Sequence, residues 1–119
     1  MLAWKILGAG INALAVAAIS DTASGLTATG TTQGTAYAMT AANNEFTTVA
    51  ANSGAILYAG SPGDEQFVYN GGANPLRVYP PSGSQINSLG TNYGALIPPA
   101  TGCAFKCMSS TRWAGVLSR

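Results

Sequence analysis

The chain has 119 residues and a mass of 12.0 kDa, enough for one domain with a modest core. Charged side chains make up only 8% of it, and five Lys/Arg against four Asp/Glu leave a net charge of +1, which excludes a basic face that grips nucleic-acid phosphates. No histidine is present, so the commonest general base, the Ser-His and Cys-His nucleophile pairs and most zinc sites are missing too.

With those groups absent, the expectation is a protein that is not an enzyme and takes no cofactor or metal. A chain that is 47% hydrophobic and almost uncharged also tends to associate. Composition therefore favours a subunit whose faces are covered in an assembly over an isolated monomer.

Residues 1–20, MLAWKILGAGINALAVAAIS, carry one charge, Lys5, and one strongly polar residue, Asn12. Three readings are ordered here. First is an apolar arm packed on the rest of the protein or on a neighbouring subunit; Trp4 and Ile6 alternate about Lys5 as in a strand, and Trp4, Ile6 and Leu7 are its candidate contact residues. Second is a secretory signal with Ala18-Ile19-Ser20 at its cleavage site. A membrane span comes last, because Lys5, Asn12 and the Gly8/Gly10 pair weaken the roughly 20 apolar residues a spanning helix needs.

Residues 21–35 are almost entirely Thr, Ala, Gly and Ser, the composition of an extended linker or of an arm lying on another surface. Beyond them, short apolar runs recur about every ten residues between Gly, Pro, Asn and Ser clusters: 37–40, 46–50, 55–59, 65–70, 76–79, 84–88, 94–97, 104–109 and 112–118. This spacing predicts an all-β domain over 36–119, a single small β-sandwich or barrel of jelly-roll-like form. In 63–81, Phe67 and Tyr69 face one way and Gln66, Val68 and Asn70 the other. The turn-forming residues 70–75 then lead to Leu76–Tyr79, and the reading is a β-hairpin. A second hairpin pairs 104–108 with 113–117.

Few residues suggest chemistry. Cys103 and Cys107 on one strand stand roughly 13 Å apart, beyond disulfide reach, and are read as buried thiols. Asp64 and Glu65 are adjacent and so face opposite sides of a strand, which rules them out as a shared acid/base pair. Asp64 is expected to cap the Ser61-Pro62-Gly63 turn. The Gly8-Ala9-Gly10 triplet lacks the third glycine and the βαβ context of a dinucleotide site. The five tyrosines are read as core or subunit-interface residues rather than base-stacking ones. Arg77 and Arg112, within or beside predicted strands, complete the candidate interface with Tyr79 and Trp113.

The phrases AMTAANN (38–44), GDEQFVYNGGANPLRVYPPSGSQINSL (63–89) and SSTRWAGVLS (109–118) give residues 34–119 a further character. This stretch resembles a recurrent small β-domain of tailed bacteriophages, found in head decoration or cement proteins and in β-modules of head or tail fibres. The resemblance rests on turns and strands and carries no catalytic signature. It implies a structural protein on the capsid surface, a homotrimer packed on itself and on the major capsid protein or other virion proteins. It implies no nucleic-acid partner. Two other functions are kept beside it: a fibre or receptor-binding module that takes surface glycans through Tyr and Trp, and a secreted or membrane-tethered β-domain.

Overall fold

Nine apolar runs bounded by Gly, Pro and Asn become strands, and one more strand forms ahead of them, in the computed structural model, which describes residues 21–118. They are β1 Thr22–Thr27, β2 Tyr37–Ala38, β3 Asn43–Thr48, β4 Gly54–Ile56, β5 Glu65–Asn70, β6 Leu76–Tyr79, β7 Gln85–Ile86, β8 Ala95–Ile97, β9 Thr101–Ser109 and β10 Arg112–Ser118. One sheet has the order β1-β3-β5-β9-β10-β7 and the other β2-β4-β6-β8. The all-β expectation holds, and the only helical element among the described residues is a 3-10 turn at Gln33–Thr35.

The layout corrects the expected jelly-roll-like sandwich or barrel. The chain passes from the six-stranded sheet to the four-stranded one and back, so β1, β3 and β5 pair in parallel, as do β2, β4 and β6. This is a short β-solenoid of three coils. Thr22 pairs with Asn43 and Asn43 with Phe67, so successive coils advance by 21 and then 24 residues. Antiparallel β9 beside β5 and β8 beside β6 then close the stack.

The same layout corrects the first predicted hairpin. β5 and β6 occupy the predicted residues but belong to different sheets. The turn between them is a corner of a coil, held by Asn70, whose Nδ2 donates to the carbonyls of Asn74 and Ile97 at 2.8 Å and whose Oδ1 accepts from Gly72 N–H at 2.9 Å. Asn74 Nδ2 in turn donates to Val49 O at 2.9 Å, tying this corner to the one below it. A Cβ on Gly72 would lie 2.7 Å from the Val49 side chain, so only glycine lets the two corners stack this closely.

The second predicted hairpin is present: β9 and β10 are antiparallel, with Trp113 opposite Cys107 and Val116 opposite Ala104. The segment 21–35, read as an extended linker or arm, joins this layout. Its first half is β1, an edge strand in parallel register with β3, and Ala28 and Thr29 bond onward to Thr48 and Gly54. A segment poor in large side chains still forms a strand because a solenoid neighbour supplies the backbone partners its composition does not reveal.

The core lies between the sheets. Phe46, Val68, Phe105, Ile86 and Trp113 from the larger sheet meet Ala55, Leu76, Val78 and Ile97 from the smaller, with Met39 and Leu57 from adjoining loops. Tyr37 meets Phe46 edge to face, ring centroids 5.7 Å apart. Gln66, fully buried on the inner face, is satisfied by one backbone: its Nε2 donates to Tyr58 O at 2.9 Å and its Oε1 accepts from Tyr58 N–H at 3.2 Å.

Candidate interaction surface

Strand alternation decides which side chains the solenoid offers outward. On β5, Gln66, Val68 and Asn70 point inward while Glu65, Phe67 and Tyr69 point out, the division expected from the sequence. On β9, Cys103, Phe105 and Cys107 point inward and Ala104, Lys106 and Met108 outward. Pairing aligns these positions in rows across the outer face. Asn43, Phe67, Ala104 and Val116 form one row, and Glu65 stands opposite Lys106 two residues away.

The outer face is apolar at its centre. Phe67 and Tyr69 are half-buried, and Val116 and Met108 are 66% and 56% exposed. A Cβ on Gly102 would lie 2.5 Å from Phe67 Cζ, so the tip of the ring reaches from β5 over Gly102 of β9. Beside it is a shallow hollow bounded by Asn43, Glu45, Phe67 and Tyr69. Large apolar side chains held on rigid, paired backbone suit a contact surface better than a catalytic one.

The predicted interface residues separate into three groups. Trp4, Ile6 and Leu7, with the arm, signal and membrane readings of 1–20, lie outside the described residues. Trp113 and Tyr79, expected at a subunit contact, are spent inside the chain. Trp113 is 2% exposed and packs in the core because the hairpin register turns it inward beside Cys107. Tyr79 is buried, and its hydroxyl donates to Thr31 O at 3.2 Å. Arg77 and Arg112 do reach the surface, in different places. Arg77 lines a hollow with Asn52, Asn74 and Leu96 on the smaller sheet, and Arg112 Nη1 donates to Asn87 O at 3.4 Å at the far edge of the larger one. They do not form one site.

Sequence reasoning missed Phe67 and Val116 as surface residues. The signal was present, because the alternation in 65–70 and the 104–117 hairpin pairing together place both on one face. What was hidden is that β5 and β9 are neighbours, which brings those two stretches together.

The remaining reactive groups are structural. Cys103 and Cys107 are buried free thiols on either side of Phe105, and burial pushes the Cys103 thiol from 9.0 up to about 11. Asp64 caps its turn as expected, Oδ2 accepting from Ser61 N–H at 2.8 Å. Burial, followed by the charges of Asp64 and Asp21, raises the Tyr58 pKa. Among the described residues no three His, Cys, Asp or Glu side chains cluster in a way that could hold a metal ion. No protein-family model, curated protein or solved structure matches this chain.

Proposed function

We propose that this protein is a structural component of a bacteriophage virion, coating the capsid surface and stabilising it as a symmetric oligomer packed on itself and on the major capsid protein. The observation that carries this reading is the apolar outer face of the six-stranded sheet, with Phe67, Tyr69, Met108 and Val116 on paired backbone, in a chain only 8% charged. A face of this kind acts by being covered. At roughly 25 cal/mol per Å² of apolar surface removed from water, even a small contact contributes several kcal/mol before association costs. Repeated around a shell, modest contacts add up through multivalency.

Purification of the source particles tests the proposal. The protein is expected to co-purify with empty heads, and heads lacking it should disrupt at lower temperature. Removal of residues 1–20 should abolish attachment while leaving the β-domain folded; a truncated chain that still saturates particles would refute the role given to the arm.

A fibre or receptor-binding module is the second reading. Tyr93, 68% exposed near Leu89 on the loop between β7 and β8, supports it as a ring on which a sugar could stack. Binding to a glycan array that disappears in Tyr93→Ala would favour this reading over the first.

A further inference from the structure

Size and charge on the outer face of the six-stranded sheet complement each other under one symmetry operation. We propose that two copies of this chain pair face to face through that surface, about a two-fold axis running along the strands between β5 and β9. The inference rests on the self-association part of the proposed function and replaces the three-fold assembly implied by the phage resemblance with a two-fold one.

The register supplies the argument. An axis between β5 and β9 places β5 of one copy over β9 of the other, and β3 over β10, while keeping every row aligned. Glu65 and Lys106 share a row, so each Glu65 then stands over the other copy's Lys106, an opposite-charge contact made twice. Moving the axis onto β5 would put Glu65 over Glu65, and moving it onto β9 would put Lys106 over Lys106. Charge therefore selects one axis among the neighbouring ones.

Shape agrees with charge. Val116 and Asn43 lie in one row at opposite sides of the axis, so the exposed Val116 of each copy meets the other copy's hollow beside Asn43, Phe67 and Tyr69. The two Phe67 rings, each reaching from β5 over its own Gly102, meet at the axis. Aligned sheets packed about 10 Å apart accommodate such contacts. Four strands (β3, β5, β9 and β10) at about 4.8 Å spacing make a footprint at the small end of stable interfaces, so the expected dimer is micromolar rather than nanomolar.

Sedimentation equilibrium of the full chain at about 100 µM, above a micromolar Kd, is expected to give twice the 12.0 kDa chain mass. Val116→Glu, which puts a carboxylate beside the other copy's Glu45, should return the mass to 12.0 kDa with an unchanged far-UV spectrum. Leu96→Glu, on the other sheet, should leave the dimer intact. Glu65→Lys should dissociate it, and Glu65→Lys with Lys106→Glu should restore it. A monomer or a trimer of the unaltered chain, or failure of the charge exchange to restore the dimer, would overturn the pairing. Particle binding would still be decided separately by co-purification.

Discussion

Val68 and Cys103 show how individual residues carry this fold. Val68 is fully buried at the centre of β5 between the sheets. Val68→Asp leaves a carboxylate there without a partner at a cost of several kcal/mol, so thermal melting should show no cooperative transition; a normal melt would contradict the inward assignment of Val68. Cys103 makes a prediction about pH. Its folded pKa, about 11, lies above its ordinary 9.0, so the neutral thiol is the form the fold holds. That contribution is complete below pH 9 and is lost as pH rises through about 11. Tyr58, also raised, acts in the same direction. Denaturant midpoints should therefore fall between pH 9 and 11, and the fall should be shallower in Cys103→Ala.

At the scale of elements, corners and edges matter as much as strands. The stacked corners at Val49 and Gly72 leave no room for another carbon, and Gly72→Ala should cost about 1–3 kcal/mol in urea unfolding, as overpacking does. Where the short edge strand β7 ends, Asn87 continues the pairing along β10. Its Oδ1 accepts from Gly115 N–H at 3.0 Å and its Nδ2 donates to Gly115 O at 3.3 Å, so a side-chain amide stands in for a paired peptide. Asn87→Ala should lower stability by about 1–2 kcal/mol and speed hydrogen exchange at Gly115. At the opposite edge, shifts in register interrupt the β1–β3 ladder. A bulged edge and a capped one discourage strand-to-strand growth of the larger sheet.

At the scale of the whole molecule, the closing strands join distant parts of the chain. β9 lies beside β5 and carries β10, so the last strands seal the third coil and complete the core around Trp113. Such a structure should unfold as one unit rather than coil by coil. In a Trp4→Phe variant, where Trp113 is the remaining tryptophan, the tryptophan emission change and the far-UV signal should coincide along a urea titration. Separate midpoints would show that the coils open independently of their cap.

Strand positions were legible in the sequence because alternation and turn composition are local properties. The bounds of β5, β6 and β10 agree with the reading, as do the β9–β10 hairpin, the inward face of β5, the buried thiols and the Asp64 turn. Which strands distant in sequence are neighbours was not legible. The residues of 70–75 serve a hairpin turn and a solenoid corner equally well, and parallel partners 21 to 24 residues apart leave no local mark. Pairing also decided the surface: Trp113 and Tyr79 went inward, while Phe67, Ala104 and Val116 met on one face only when β9 came to lie against β5. Side-chain alternation depends on a residue's own backbone, whereas strand adjacency is settled by the joint burial of both sheets.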